Sequence, residues 1–175
     1  MRSIGGTKLK SSLKPYREII TKATCGDAKK VFRINQLIPV PEGHYPTQIL
    51  GTTITKLQLA TETSLSDTMY KPEPGIQIGG SFEIHVWYAH KNGKATEIVR
   101  QIVQFTETIP VTDFDHNILN LLDAKVEVMK SPECLETSIT KENKIKVEVE
   151  IGVYAEIVGE TKVAVYTYQS DEDDD

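Results

Sequence analysis

Apolar and polar side chains alternate most cleanly in two stretches of the chain. Phe82, Ile84, Val86 and Tyr88 fall on one face of an extended segment beginning near Gly79, and Glu83, His85 and Trp87 fall on the other. Ile145, Val147, Val149, Ile151 and Val153 alternate strictly with Lys146, Glu148, Glu150 and Gly152. A period of two puts successive side chains on opposite sides of the backbone, so both stretches predict strands with one buried face. Asn92-Gly93 follows the first stretch and predicts a tight hairpin, because both residues tolerate positive φ. The return strand is expected from Thr96 to Ile109. Its apolar pairs Ile98-Val99 and Ile102-Val103 imply a bulge or burial on both faces, and Pro110 is expected to end it.

Weaker patterns fill the rest. Tyr16 to Ala23 is rich in β-branched residues and reads as a strand. Pro39, Pro41, Gly43 and Pro46 punctuate a loop between Ile34 and Gly51. Ile49 to Leu59 reads as a strand with Ile54 on one face and Leu57 and Leu59 on the other; a loop with Pro72, Pro74 and Gly75 follows. Ala124 to Met129 and Leu135 to Ile139 read as two short strands, and Lys141 to Asn143 as a turn. Gly159-Glu160 is expected to turn the chain into a last strand bearing Val163, Val165 and Thr167, with Tyr166 and Tyr168 opposite. Asp113 to Asp123, with Ile118, Leu119, Leu121 and Leu122 close together, is the one expected helical turn.

Many short strands and almost no helix predict an all-β fold. The expectation is an antiparallel β-sandwich or barrel-like sheet domain with at most one short helix. Residues 1–15, rich in Gly, Ser and Lys, read as a flexible basic arm; 16–169 as the β-rich domain; 170–175 as an acidic tail. A length of 175 residues suits one domain that buries its core without disulfide or metal staples. No apolar run is long enough to span a bilayer, so direct membrane insertion is not expected. Nor does the start of the chain carry a signal-peptide apolar stretch, which favours a protein that stays in the cytosol where it is made.

The net charge of −5 hides an asymmetry. Arg2, Lys8, Lys10, Lys14, Arg17, Lys22, Lys29 and Lys30 crowd the first thirty residues, and Asp171-Glu172-Asp173-Asp174-Asp175 closes the chain. These ends are either solvated tails or opposite charges that attract one subunit to the next. Overall acidity, with no aromatics among the basic residues, disfavours a nucleic-acid partner.

The search for catalytic chemistry comes back empty. Cys25 and Cys134 are too far apart in sequence to make a metal motif or a disulfide framework, and a reducing compartment is the default. Cys134 reads as a small hydrophobe at the mouth of a strand; cross-linking between subunits through either cysteine stays open. His85 and His90 should face opposite sides of a strand, with His90 exposed beside the hairpin turn, and His44 sits in the Pro-rich loop. Asp113, Asp115 and His116 are the one cluster of potential ligands for a divalent ion, against the plainer reading of Asp115 as a helix N-cap. Gly75, Gly79 and Gly80 precede a strand, whereas a phosphate cradle needs a helix there. No catalytic, cofactor-binding or metal residues are therefore assigned, and no cofactor is expected. Trp87, among Glu83 and His85, is either a packing residue, an interface anchor or a platform for a sugar ring. The strand from Ile145, with its Lys/Glu outer face, would be a template for strand addition if it lay at a sheet edge.

Several segments together resemble one family. Tyr16-Arg17-Glu18-Ile19-Ile20-Thr21-Lys22-Ala23 is similar to the N-terminal signature of the outer spore coat morphogenetic protein E (CotE) family of endospore-forming bacteria. Similarity recurs in order at Ile49-Leu50-Gly51, Val86-Trp87-Tyr88, Cys134-Leu135-Glu136, Asn143-Lys144-Ile145 and Val158-Gly159-Glu160-Thr161-Lys162-Val163, and the acidic end fits as well. Thr52 to Ile78 matches poorly, Met1 to Pro15 precedes the usual start, and the acidic tail is shorter than is usual. The resemblance implies a non-enzymatic scaffold made in the mother-cell cytoplasm. Such a scaffold self-associates, surrounds the forespore and recruits outer coat proteins, attached to a basement layer whose base is an ATPase. It brings no catalytic residues. A small-molecule or carbohydrate-binding β-sandwich module is the alternative.

Overall fold

The structure, a computed structural model, describes residues 16–60 and 75–166. The expected basic arm, the Pro72–Pro74 loop and the acidic tail lie outside the described residues. Six strands make one antiparallel sheet: β1 (Tyr16–Ile38), β2 (Pro46–Leu59), β3 (Gly75–His90), β4 (Ala95–Thr112), β5 (Asn120–Ile139) and β6 (Ile145–Tyr166), in the spatial order β2-β3-β4-β1-β6-β5. The sheet curls into a nearly closed barrel. β4 and β1 share only the pairs Asp27↔Thr112 and Ala28↔Val111. On the opposite side β2 and β5 approach without a ladder, and the Thr52 and Thr137 hydroxyls meet at 2.7 Å across the seam. The all-β, barrel-like expectation holds, with no helix among the described residues.

The two clearest sequence patterns build the core. Phe82, Ile84, Val86 and Tyr88 of β3 are buried against Ile145, Val147, Val149, Ile151 and Val153 of β6, with Phe32 of β1 and Val103, Phe105 and Ile109 of β4 completing the interior. The hairpin forms as expected, with Lys91, Asn92 and Gly93 all at positive φ. β3 and β4 pair without a register shift, so the apolar doublets of β4 reflect two-sided placement and not a bulge: Val103 is buried while Ile102 is 65% exposed.

Other expectations are corrected. β1 runs on to Ile38 because Ile34 through Ile38 pair with Val149 through Ile145, and the Pro-rich loop shrinks to residues 39–45. Pro46 opens β2, a position where no earlier ladder bond is lost. Ile54, Leu57 and Leu59 all pack on the core, because an irregularity between Thr55 and Gln58, with Lys56 at positive φ, reverses the face parity. Pro110 does not end β4; it pairs with Gly75, the first residue of β3. The two short strands around Pro132 are one strand, β5, stepped by register shifts including one between Lys130 and Glu133. The expected helix at Asp113 is a bend and turn that enters β5 at Asn120. Lys141 to Asn143 do turn, as expected.

The largest correction concerns Gly159-Glu160, which does not turn the chain. β6 passes straight through, paired with β1 down to Tyr16↔Tyr166. Gly159 is there for close approach: a Cβ on it would sit 2.9 Å from Cys25 Sγ and 3.0 Å from the Asn120 carbonyl oxygen. β6 is also interior, between β1 and β5, so its Lys/Glu outer face borders no edge. That face is internally matched. Glu150 contacts Lys130 at 2.6 Å and Arg33 at 3.1 Å, and Arg33 also reaches Glu148 at 3.1 Å, tying three strands together.

Candidate interaction surfaces

Four places bring functional side chains together or leave apolar surface uncovered. The first is the end of β3. Strand parity separates His85 from His90 as expected, but the inward parity that His90 shares with Tyr88 buries it, to 2% exposure, correcting its expected place in solvent. The His90 ring stacks on His44 with centroids 4.2 Å apart, and His44 Nδ1 lies 2.8 Å from the Tyr88 hydroxyl. Among the described residues neither ring nitrogen of His90 has a hydrogen-bond partner, and burial, then His44 and Lys91, pushes its pKa below the usual imidazole range. Stacked parallel rings direct their in-plane lone pairs side by side and not toward one point, so the pair is poorly shaped to chelate an ion. Outside, His85 Nε2 sits 2.9 Å from Glu83 Oε1, within ion-pair range but not aligned as a hydrogen bond. The Lys56 ammonium at 2.7 Å, above all, holds the Glu83 carboxyl below its ordinary pKa.

The second is the loop before β5. Asp113 has positive φ, the Asp115 carboxylate accepts the Asn117 backbone N–H at 2.9 Å, and the His116 ring meets Phe114 edge-on. Asp115 thus caps a turn, where an N-cap of a helix was expected. The Asp115 backbone N–H donates to the Cys25 carbonyl, which pins the loop to β1. Among the described residues no three His, Cys, Asp or Glu side chains are grouped to hold a metal ion. The two cysteines are thiols: Cys25 is buried and Cys134 half-buried, in mid-strand. Burial raises the Cys25 pKa, and its thiol donates to the Ile157 carbonyl.

The third is the outer face of β2, β3 and β4. Trp87 is 42% exposed, with Ile98 opposite it on β4 and Gly51 opposite it on β2. None of the described residues lies within 4 Å of where a Gly51 Cβ would be, so among them one flank of the indole is open. At the far end of these strands an open cleft of about 380 Å³ is lined by Gln58, Leu59, Ala60, Gly80, Phe105 and their neighbours, none of them titratable. Gly79 and Gly80 line this cleft within β3, not a helix N-terminus.

The fourth was missed from sequence. Where β5 stops, β1 and β6 continue as a two-stranded ribbon carrying Ile19, Ile20, Val163, Val165 and the 70% exposed Tyr166. A turn expected at Gly159 hid it. The signal was present in the adjacent pair Ile19-Ile20, which places one large apolar side chain on each face of a strand.

Compared with known protein families, residues 15–175 match the model of outer spore coat protein E (CotE). No curated protein and no solved structure matches the chain.

Proposed function

The chain belongs to the outer spore coat protein E family, a family of spore coat proteins, and from that premise we propose that it is a non-enzymatic morphogenetic scaffold. In this reading it is made in the mother-cell cytoplasm, associates with copies of itself around the forespore, and holds other coat proteins, the basement-layer ATPase among them. The match over residues 15–175 carries the reading. Physical support comes from what the surface offers: exposed apolar side chains on sheet faces and on the ribbon, which is the kind of surface that associates. Purified protein should sediment as species far above the 19.6 kDa of one chain. A strict monomer at high concentration counts against self-association. A fluorescent fusion in sporulating cells should form a ring or cap around the forespore, and diffuse fluorescence would refute the scaffold role.

The open flank of Trp87 favours one second reading, a platform on which a sugar ring stacks. A glycan that changes Trp87 fluorescence, with binding lost in Trp87→Ala, would support it. An unresponsive indole across a glycan panel removes it.

A further inference from the structure

Among the described residues β2, β5, β4 as far as Pro110 and β1 from Lys29 to Ile38 each form a ladder on one side only. Most of these edges resist a new strand. β2 and β5 are broken by register shifts, and β5 also carries Pro132. The β1 stretch bears Lys29, Lys30 and Arg33 with no acid among them. β4 differs. It pairs with β3 without a shift, and β1 meets it only at Val111 and Thr112, with the Lys30 ammonium reaching Glu107 and the Thr108 carbonyl. Ala95 to Thr106 is thus a regular edge, with Ile102 65% exposed on it. Its even-numbered residues aim their backbone groups outward. The Gly79 carbonyl bonds Ala60 on the β2 side, so Gly80 and Phe82 face β4, where they pair with Phe105 and Val103. Ile102 and its alternate neighbours therefore point away from β3. The Gln101 side chain already donates to the Ile102 carbonyl at 2.9 Å, in the place of a neighbouring strand. A regular edge with free backbone groups is a template for another strand.

We propose that the β4 edge from Ala95 to Thr106 takes the same edge of a second copy of the chain, antiparallel, about a two-fold axis at Gln101. The inference rests on the self-association proposed above and names its surface. A two-fold contact is isologous, so the edge must complement itself. Outward backbone groups bond only when even positions face even positions, which puts the axis on a residue and not between residues. The middle of the edge lies between Arg100 and Gln101. An axis at Arg100 sets two guanidinium groups directly opposite each other, and like charges so placed destabilise a sheet pair. An axis at Gln101 sets Arg100 opposite Ile102, Ile98 opposite Gln104, Thr96 opposite Thr106 and Glu97 opposite Phe105, with no like charges opposed. Arg100 then donates its backbone N–H to the Ile102 carbonyl of the other copy, and the two Gln101 amides, released from that carbonyl, meet on the axis. The edge is its own complement in this register, so the occupant that fits it is the chain itself.

The full-length protein tests this in two ways. In a Cys134→Ser background, which removes the half-buried native thiol, Gln101→Cys should give a covalent dimer under mild oxidation, because self-opposed residues of an antiparallel pair are within disulfide reach. Thr106→Cys, exposed on the same edge, should not, since Thr96 of the other copy faces it. In the otherwise native chain Ile102→Lys should weaken association about tenfold by setting a lysine opposite Arg100 on both sides of the axis, and adding Arg100→Glu should restore it. Circular dichroism matching that of wild type shows that the variants are folded. If wild type assembles while Gln101→Cys cross-links no better than Thr106→Cys and Ile102→Lys assembles like wild type, the edge is the wrong surface and self-association stands. If wild type is monomeric at every concentration, both fail.

Discussion

The sulfur of Cys25 occupies the space that a side chain on Gly159 would need, with an ideal Cβ only 2.9 Å from Sγ. The contact lies where β1 and β6 leave the barrel and become the ribbon. Gly159→Ala should destabilise the fold by about 1–3 kcal/mol, the usual range for overpacking. Chemical denaturation measures it, and a variant as stable as wild type would show that the strands yield without strain.

The same packing separates the two thiols. Cys25 is buried and its pKa is raised, chiefly by burial, whereas Cys134 is partly accessible. A thiol reagent should modify Cys134 promptly in the native protein and Cys25 only as fast as the fold opens. Equal rates for the two would contradict the burial.

His90 should make stability depend on pH. Its folded pKa is lowered by burial, with His44 and Lys91 adding to the effect and Glu97 opposing it. The Tyr88 ring lies against it as well. The unfolded chain therefore binds the proton more readily. The contribution is complete above the unfolded imidazole value of about 6.5 and is lost as pH falls from there toward the folded pKa. Melting midpoints of wild type should drop between about pH 7 and pH 5, with a shallower drop in His90→Leu. Parallel profiles would remove His90 as the cause.

Two isoleucines test the barrel's inside and outside. Ile151→Ala, fully buried on β6, should cost about 2–5 kcal/mol. Ile102→Ala, on the outer face of β4, should change stability by no more than about 0.5 kcal/mol. Similar losses at both sites would mean that the outer face is covered in solution.

Strict alternation is enough to tell the inside from the outside of β3 and β6, since a period of two leaves a strand no other way to bury one face. The Asn92-Gly93 hairpin is equally legible, because few residue pairs accept its backbone angles. Where local signals compete with long-range pairing, pairing wins. Gly159 reads as a turn, yet twenty-two residues of β6 stay extended because β1 lies alongside them. Ile54 and Leu57 read as opposite faces, yet the irregularity between them turns both inward. The turn beside His90 suggests solvent, and the parity of its strand puts it in the core.

By itself the sequence determined the all-β class, the buried faces of β3 and β6 and the family resemblance, since each depends on residues close together in the chain or on their order. Only the tertiary structure decided which strands are neighbours, that β6 is interior, and that β1 and β6 run on together beyond the end of β5. It also set Tyr16 against Tyr166, 150 positions further along the chain. Strand order and the pairing of β1 with β6 are set by contacts between residues far apart in sequence, and no local pattern encodes which distant partner completes a sheet.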